Sequence, residues 1–301
     1  MRILATLRGS LTLALIALNT VLWGTPLLLL AVVKLATPGR RLRESLSRGL
    51  IVLAENWVGT NSAMLALTGA LDFERRGDTT LERKEWYLMI SNHRSWVDIL
   101  LLQAAFSRRI PFLKFFIKEQ LKWVPVLGLA WWALDMPFMR RHSREYLEKH
   151  PGERGRDLEA TRRACEKFRH TPTTVINFVE GTRFTPAKHA AAGSHYRHLL
   201  PPRAGGMAFV LGAMGDMLHA TLDVTIAYGP RTPSLWDLCC GRMRRAIVHV
   251  RRRAIEPWMT GGDYGEDAAF RAGFQAALAA LWAEKDELLE RLQSELATNA
   301  A

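Results

Sequence analysis

Two polar segments, each directly after an apolar run, contain the side chains best suited to chemistry. The first covers residues 91–98 and includes His93. A carboxylate that accepts a hydrogen bond from one imidazole nitrogen leaves the other nitrogen free to take a proton. Ser95 and Asp98 have the Ser-x-x-Asp spacing of a capping box, which places Asp98 in a first helical turn within reach of His93. His93 is therefore a candidate general base and Asp98 its orienting partner. The simpler interpretation is a capped helix beside an ordinary histidine.

The second polar segment, residues 177–185, follows a run of β-forming residues. It presents the carboxylate of Glu180, the flexible Gly181, the hydroxyl of Thr182 and the guanidinium of Arg183. A guanidinium forms bidentate pairs with phosphate or carboxylate groups, and loop amides add further donors. The segment is a candidate anion-binding loop, and the alternative is a plain turn with one surface arginine.

The two segments together resemble a known family. Residues 92–98 (NHRSWVD) and 178–183 (FVEGTR) closely resemble motifs of the glycerolipid acyltransferases. These are the 1-acylglycerol-3-phosphate acyltransferases and their lysophospholipid acyltransferase relatives. The motifs stand in the family's order with about eighty residues between them, and the resemblance covers roughly residues 71–228.

Two further segments are similar to family blocks with departures. Residues 138–141 are similar to a block in which an arginine helps hold the acceptor phosphate. Arg141 takes that arginine's place, although Arg140 stands where an acidic residue is frequent. Residues 222–228 are similar to the strand of a fourth block but lack the Val-Pro core of the simplest bacterial members. This second departure looks more like the branch that includes long-chain lysophospholipid and lysocardiolipin acyltransferases.

The resemblance implies an O-acyltransferase of phospholipid biosynthesis or remodelling. The implied reaction moves a fatty-acyl group from acyl-CoA or acyl-acyl carrier protein to the free hydroxyl of 1-acylglycerol-3-phosphate or a related lysophospholipid. A lysophospholipid with a full head group, or lysocardiolipin, is the alternative acceptor. No covalent acyl-enzyme is expected, because no serine or cysteine stands in a nucleophile setting such as Gly-x-Ser-x-Gly. No cofactor and no metal are expected either.

The resemblance also implies roles for individual residues. Arg183, with Gly181 and Thr182, is expected to hold the acceptor phosphate, and Glu180 to orient these groups or bond a glycerol hydroxyl. The residues implied to bind substrate are therefore Arg141, Glu180, Gly181, Thr182 and Arg183, and those implied to support the catalytic loop are Asn92 and Ser95.

Beyond residue 71, short β-forming runs alternate with helical stretches, which predicts an α/β fold. The expected sheet is mixed and mostly parallel, flanked by helices, as the resemblance implies. Strands are predicted at 86–91, 111–115, 136–139, 174–179, 222–227 and 246–250, and helices at 96–106, 118–123, 154–169, 206–214 and 267–297. Residues 186–202 are predicted to form a loop.

The N-terminal region is predicted to meet a membrane. Residues 11–33 form an uncharged run of 23 residues, long enough for a helix to cross a hydrocarbon core of about 30 Å. The heavier basic flank follows this run, which places the rest of the chain on the cytoplasmic face, with a bacterial inner membrane as the expected location. Because Pro26 should kink the helix, a span and a bent helix that dips into one leaflet both remain open. The length of the run argues against a cleaved signal peptide.

Residues 41–70 place apolar side chains at helical spacing and are predicted to form a second helix. Its basic start and Trp57 suit a helix at headgroup level, whereas its apolar face could equally pack on the globular part. Residues 1–70 are therefore predicted to be a membrane-associated helix pair, and residues 71–301 an α/β acyltransferase domain.

The formal net charge of +12 allows three classes of partner, namely nucleic acid, an anionic membrane and a phosphorylated substrate. Residues 154–169 mix both signs at i,i+4 spacing, which is typical of a solvated helix face. Basic and aromatic residues interleave poorly for nucleic-acid stacking, so no nucleic acid is expected. The expected partners are the acyl donor, the lysophospholipid and membrane lipids. A basic membrane-anchored protein that binds without catalysis is the rival class, and a secreted protein with a cleaved leader is another.

Several other residues allow a structural interpretation as well as a functional one. The thiols are predicted to be buried and structural: Cys165, Cys239 and Cys240. Three histidines lie close together without a nearby carboxylate or thiol in sequence, so a metal site is not expected: His189, His195 and His198. A one-sided set of arginines could meet anionic lipid or protect an edge strand: Arg242, Arg244, Arg245 and residues 251–253. Three tryptophans could belong to the core, an acyl channel or the bilayer surface: Trp123, Trp131 and Trp132.

Overall fold

The structure is a computed structural model that describes residues 2–124, 127–139, 165–229, 231–243 and 245–298. An initial helix pair is followed by alternating strands and helices. In chain order these are α1 (Arg2–Ala36), α2 (Arg40–Leu67), β1 (Phe73–Gly77), β2 (Tyr87–Ser91), α3 (Val97–Phe106), β3 (Leu113–Phe115), β4 (Ile117–Lys118), a 3-10 turn (Glu119–Trp123), α4 (Leu127–Ala133), β5 (Phe138–Met139), a 3-10 turn (Lys167–His170), β6 (Thr174–Phe178), α5 (Pro186–Ala191), α6 (Ala204–Met214), β7 (Ala220–Ala227), α7 (Leu235–Cys239), β8 (Ala246–Arg253), a 3-10 turn (Pro257–Met259) and α8 (Ala268–Thr298).

Six strands form one sheet in the order β1-β8-β7-β2-β6-β3, and every neighbouring pair is parallel except β7 and β8. The short strands β4 and β5 pair separately. Because β2 lies between β6 and β7 and all three run in the same direction, their carboxyl ends meet at one edge of the sheet. The predicted fold class, a mixed and mostly parallel sheet flanked by helices, is confirmed.

The sheet is covered on both faces, as expected for strands whose side chains alternate between two apolar layers. On β2, Leu88 and Ile90 join the cluster that contains α6 and α8. Tyr87 and Met89 join the opposite cluster, which contains α3. All five residues of β2 are buried, so the loop that follows this strand begins from a rigid base.

Helices α1 and α2 pack against each other and share a third apolar cluster with α4, which includes Leu27, Leu50 and Ala133. Both helices are long and apolar enough to cross a membrane, judged by length and composition. The outward face of α1 exposes large apolar side chains along its whole length: Ile3, Leu4, Leu7, Leu11, Leu13, Leu18, Val21, Leu22, Leu29, Val32, Val33 and Leu35. The division of the chain into residues 1–70 and 71–301 stays a prediction.

Helix α1 is attached to the α/β region near both of its ends. Near the start, Gly9 lies so close to the segment after α7 that a Cβ there would be 2.6 Å from Cys240 Sγ. Near the end, Lys34 is buried, and its Nζ donates to Ala133 O at 2.8 Å and to the Asp135 carboxylate at 2.9 Å. The helix therefore runs along the folded region instead of leaving it at one end.

Some predicted elements differ in the structure. Residues 186–202 are not loop throughout, because α5 begins at Pro186 with the Thr185 hydroxyl accepting from the amide of Lys188. The predicted helix at 118–123 is a 3-10 turn after β4. Strand β1 was not expected, since its sequence Phe-Glu-Arg-Arg-Gly is polar. The predicted helix 154–169 lies outside the described residues except for its last five positions.

The arginines near β8 have structural partners. Strand β8 lies between β1 and β7, so the alternative in which residues 251–253 protect an edge strand is wrong. Arg253 pairs with Asp223 and Glu284, Arg251 also pairs with Glu284, and Arg252 pairs with Glu85. Arg244 lies outside the described residues.

The cysteines and tryptophans have different surroundings. All three thiols are buried, as predicted, and burial raises the pKa of the Cys165 thiol to about 12. Trp123 is 79% exposed, which excludes it from the core. Trp131 and Trp132 pack against the cluster shared by α1, α2 and α4.

Candidate functional site

The loop after β2 is fixed to the neighbouring strand by Asn92. Its Nδ2 donates to Ile226 O at 2.9 Å, and Ile226 N donates back to its Oδ1 at 2.8 Å. Asn92 is fully buried. Its side chain takes the place of a backbone partner and continues the hydrogen bonding between β2 and β7 past the end of β2. The next residue, His93, therefore leaves the sheet edge from a defined position.

His93 and Asp98 are in direct contact, as the spacing predicted. The His93 Nδ1 lies 2.8 Å from Asp98 Oδ2, and the imidazole stacks on Phe178 with ring centroids 4.0 Å apart. A carboxylate beside Nδ1 favours the tautomer with the proton on Nδ1, so Nε2 carries the free lone pair. The His93 side chain is 14% exposed, which leaves the imidazole accessible from outside.

The Asp98 carboxylate is fully buried and accepts from four donors. Its Oδ2 accepts from the His93 ring, from Arg94 N at 2.6 Å and from Ser95 N at 2.9 Å. Its Oδ1 accepts from the Tyr228 hydroxyl at 2.5 Å. A carboxylate has about four acceptor positions, so the four donors match its hydrogen-bonding capacity.

Ser95 joins the loop after β2 to the segment between β7 and α7. Its hydroxyl donates to Pro233 O at 2.6 Å and accepts from Val97 N at 3.2 Å. The carboxylate half of the predicted capping box is present, because Ser95 N donates to Asp98. The serine half differs, since the hydroxyl takes the amide of Val97 in place of the amide of Asp98.

Glu180 links the two predicted motifs. Its Oε1 accepts from His93 N at 2.9 Å, its Oε2 accepts from Leu200 N at 3.0 Å, and the residue is 1% exposed. Burial raises the pKa of the Glu180 carboxyl to about 7, while the two amides and Arg94 oppose that shift. In addition, Phe184 N donates to His93 O at 2.7 Å. This geometry favours the orienting role of Glu180 over direct contact with a substrate hydroxyl.

Three cations surround the loop that follows Glu180. Arg183 lies over the exposed Trp96 ring at 4.9 Å. Lys188 Nζ donates to Thr182 Oγ1 at 2.6 Å and to Arg183 O at 3.2 Å. Gly181 has φ +69° and lies under Arg203, since a Cβ there would be 3.0 Å from the Arg203 Cδ. Within the described ranges, Arg183, Lys188 and Arg203 have no carboxylate partner, so their charge is open to an anion.

Arg94 extends from the same loop into a mostly buried position. Its Nε and Nη1 are buried without a hydrogen-bond partner in the described part of the chain, and its guanidinium lies 4.8 Å above the Phe184 ring. Burial lowers the Arg94 pKa, although Glu180, Asp98 and Tyr228 act against that shift. The sequence assigned Arg94 no separate role.

The structure thus brings His93, Asp98 and residues 180–183 together at one sheet edge. Arg141, the remaining predicted substrate-binding residue, lies outside the described residues. Tyr228 and Phe178 contact the His93–Asp98 pair and were not predicted to do so. Val224 and Ile226 on β7, and Tyr228 directly after it, alternate onto one side. This was the available signal for Tyr228, but its partner is distant in sequence.

The three clustered histidines have separate partners. His189 Nε2 lies 2.6 Å from Tyr196 O, and His198 Nε2 lies 2.6 Å from a Glu290 carboxylate oxygen that the sequence did not place nearby. His195 lies beside the Tyr196 ring. Among the residues that the structure describes, no three His, Cys, Asp or Glu side chains are grouped to hold a metal ion.

The sequence comparison specifies the family of this chain. The profile of the family named Acyltransferase matches residues 72–229. That match covers more than half of the chain, so the chain belongs to the acyltransferase family, and the resemblance found in its motifs is confirmed.

Named relatives refine the comparison. The chain is 29% identical over 227 residues to 1-acyl-sn-glycerol-3-phosphate acyltransferase gamma of Homo sapiens, with 72% of this chain and 56% of that protein covered. It is 27% identical over 230 residues to the delta protein of Homo sapiens, with the same shares covered. The chain therefore spans little more than half the length of these curated relatives.

A solved structure supports the fold. The 1-acyl-sn-glycerophosphate (LPA) acyltransferase PlsC of Thermotoga maritima superposes with a TM-score of 0.53 at 17% identity, covering 94% of this chain and 98% of that one. At this identity the likeness shows the fold alone.

Proposed function

We propose that this chain is an O-acyltransferase that moves a fatty-acyl group from an acyl thioester to the free hydroxyl of 1-acylglycerol-3-phosphate or a related lysophospholipid. The observation that carries the proposal is the 2.8 Å contact between His93 Nδ1 and Asp98 Oδ2, placed beside a loop with three open cations. That edge offers a base and an anion-binding loop, which are the two requirements for acylating a phosphorylated alcohol.

In the proposed reaction, the acceptor hydroxyl attacks the thioester carbonyl while His93 Nε2 takes the hydroxyl proton. Asp98 stabilises the imidazolium that forms. Collapse of the tetrahedral intermediate expels the thiolate, and the imidazolium returns the proton to that sulfur. The products are a diacylated phospholipid and a free thiol. A positioned base of this kind contributes roughly 10²–10⁴ in rate. The reaction as written needs no cofactor, because the thioester is already activated.

The open cations suit the charge of the acceptor. Arg183 presents a planar guanidinium fixed over Trp96, and bidentate pairing of such a group with phosphate is strong. Lys188 contacts Thr182 and Arg203 lies beside Gly181, so both add positive charge to the same loop. These contacts support Arg183, Gly181 and Thr182 as the phosphate-binding loop, with Lys188 and Arg203 as additional cations.

The test is acyl transfer by the purified protein from a long-chain acyl-CoA and from the matching acyl-acyl carrier protein. The acceptors are lysophosphatidic acid, lysophosphatidylglycerol and lysocardiolipin. We expect product from lysophosphatidic acid with at least one donor. Preference for lysophosphatidylglycerol or lysocardiolipin would shift the assignment to the head-group-bearing acceptors. Absence of product with every donor and acceptor, from folded protein in lipid, would contradict the proposal.

We also propose that helices α1 and α2 hold the active edge at the cytoplasmic face of a bacterial inner membrane, with α1 lying in one leaflet. The outward face of α1 is apolar from Ile3 to Leu35. Trp123, which lies just before α4 in the sequence, is also exposed. Because α1 contacts the folded region through both Gly9 and Lys34, crossing the bilayer would require one of these contacts to break. The exposed apolar face therefore supports the one-leaflet arrangement over a simple span.

Cysteine accessibility separates the two arrangements. Arg2→Cys and Gly39→Cys each place a thiol at an exposed position just outside the apolar face, at opposite ends of α1. A membrane-impermeant maleimide is applied to sealed right-side-out and inverted vesicles. If α1 lies in the cytoplasmic leaflet, both thiols react only in inverted vesicles. If α1 crosses the bilayer, the thiol at position 2 reacts only in right-side-out vesicles.

A further inference from the structure

Tyr228 makes a contact with the proposed catalytic pair that the spacing of the motifs does not require. Its side chain is 1% exposed, and its hydroxyl donates to Asp98 Oδ1 at 2.5 Å. The other oxygen of Asp98 accepts from His93 Nδ1. We propose that Tyr228 is a positioning residue for His93, which holds the Asp98 carboxylate in the orientation that directs Oδ2 at the imidazole. This proposal rests on the acyl-transfer function proposed above.

The two oxygens of Asp98 are held differently. Oδ2 has three donors, all from the loop of residues 93–95. For Oδ1, Tyr228 is the hydrogen-bond donor that the described residues supply. The terminal torsion of an aspartate is broad, so bonds to one oxygen alone leave the carboxylate free to rock. A donor on Oδ1, anchored in the sheet, removes that freedom.

Strand geometry explains why residue 228 reaches Asp98. Val224, Ile226 and Tyr228 all belong to the apolar cluster under α3, because alternate residues of β7 face the same side. Asp98 lies in the first turn of α3 on that side. The Asn92–Ile226 bonds fix the register two residues earlier. Tyr228 directly follows Ala227, the last residue of β7, so its hydroxyl is held at the end of a rigid strand.

The hydroxyl of Tyr228 is held in its protonated form. Burial and the charge of Asp98 raise the pKa of Tyr228 well above its usual value, and Arg94 opposes this only in part. The other ionisable groups that face this cluster are His93 and Arg94 on the same loop and Glu180 at the end of β6. Tyr228 thus stays a donor to Asp98 at neutral pH.

The fold contains a matched control in Tyr87. Tyr87 is also fully buried in the same sheet, and its hydroxyl also donates to a carboxylate, that of Glu85. It begins β2, at the opposite end of the strand from His93. Tyr87→Phe and Tyr228→Phe therefore remove the same atom from the same sheet. The Tyr87 hydroxyl also accepts from Glu82 N at 3.0 Å, and only Tyr228 lies beside Asp98.

The first readout is steady-state acyl transfer, measured against pH. We expect Y228F to lower kcat about tenfold, as for loss of a hydrogen bond to a charged group, with little change in KM for either substrate. Y87F should leave kcat and its pH profile unchanged. In a D98N background, adding Y228F should cause little further loss, because the bond it removes acts through Asp98.

The second readout does not depend on turnover. The pKa of His93 is measured by NMR titration of histidine-labelled protein, with the His93 signal assigned from its loss in H93Q. Y228F should lower the His93 pKa by about half a unit, because a carboxylate that is free to rock stabilises the imidazolium less strongly. Y87F should leave the His93 pKa as in wild type.

The two readouts separate the proposal from the function on which it rests. If wild type transfers no acyl group but Y228F still shifts the His93 pKa, the acyltransferase assignment fails and the positioning role stands. Wild-type kcat and an unchanged His93 pKa in Y228F would overturn the positioning role. Equal loss of kcat in Y228F and Y87F would also overturn it, since the effect would then be general destabilisation.

Discussion

Two buried aspartates in this fold meet opposite kinds of partner. Asp98 is 0% exposed and accepts from two amides, a tyrosine hydroxyl and one imidazole. Asp223 on β7 is 2% exposed and pairs with two basic side chains, Lys285 Nζ at 2.5 Å and Arg253 Nε at 3.1 Å. Burial acts to raise the pKa of Asp223, but Lys285 and Arg253 outweigh it and hold that pKa below its usual value.

The different partners of Asp98 and Asp223 indicate different roles for the two carboxylates. The negative charge of Asp223 is already neutralised in the folded protein, so it stabilises packing of α8 on the sheet. The hydrogen-bond donors of Asp98 are neutral, and the nearby Arg94 guanidinium acts on it by charge without a hydrogen bond. Asp98 is therefore not locked in an ion pair and can stabilise an imidazolium on His93. A buried carboxylate with neutral donors and one imidazole is thus the better candidate for catalysis, although both aspartates are equally buried.

The largest expected effect is on activity when Asp98 is changed. Asp98→Asn replaces an acceptor beside His93 Nδ1 with an amide that favours the wrong tautomer. We expect kcat to fall by about 10²–10⁴, with a small change in thermal midpoint. Steady-state acyl transfer and thermal unfolding in the same detergent check both parts. If the variant keeps nearly full activity, the charge of Asp98 does not contribute to catalysis. Asp98 and Asp223 would then both be structural.

Asp223→Asn should give the opposite pattern. It leaves the fully buried Lys285 ammonium without its main anion, which we expect to cost about 3–5 kcal/mol of unfolding free energy. Activity per folded molecule should be unchanged. Denaturant unfolding measures the loss, and adding Lys285→Met should recover part of it by removing the unpaired charge. Loss of kcat without loss of stability would contradict the structural role of this pair.

The open cations should affect substrate binding more than turnover. Arg183→Ala removes the guanidinium over Trp96, and we expect KM for a phosphate-bearing acceptor to rise about 10- to 100-fold. Lys188→Ala should have a smaller effect in the same direction. Arg169→Ala is the matched control. Arg169 precedes β6, is exposed, and pairs with Asp216. Equal effects of the Arg183 and Arg169 substitutions would indicate a general charge effect.

Glu180 is a third buried carboxylate, and we expect it to have a smaller, pH-dependent effect on the free energy of unfolding. Burial raises its folded pKa to about 7, above the ordinary value of 4.5. Between these values the folded protein binds more protons than the unfolded chain, so this group lowers stability as pH rises from about 5 to 8. We expect the stability advantage of wild type over Glu180→Gln to shrink by roughly 2 kcal/mol across that range. Parallel unfolding curves at each pH check the sign, and an advantage that grows with pH would contradict it.

The sequence predicted the parts of the fold that depend on local pattern. Strands β2, β6 and β7 appear close to their predicted bounds because their residues are apolar and β-forming. Strand β1 was missed because an edge strand needs little apolar sequence. Helix α7 was missed although Ser234 and Asp237 form a capping box, a signal present in the sequence and overlooked.

The site was predictable to the same extent. His93, Asp98 and residues 180–183 were found because each motif is contiguous. Tyr228 was not, because its contact with Asp98 spans 130 residues and depends on the order of strands in the sheet. The burial of Glu180 depends likewise on Leu200, which a loop brings back to the sheet edge. Such contacts follow from topology and not from spacing.

The most direct test of the central claim is single-turnover acyl transfer to lysophosphatidic acid by wild type, His93→Ala and His219→Ala. His219 is an exposed histidine stacked on Trp86 at the opposite end of the sheet, and it controls for loss of an imidazole. If His93 is the general base, H93A should slow the chemical step by roughly 10²–10⁴ while H219A keeps the wild-type rate. A wild-type rate in H93A would contradict the role of His93 as the base.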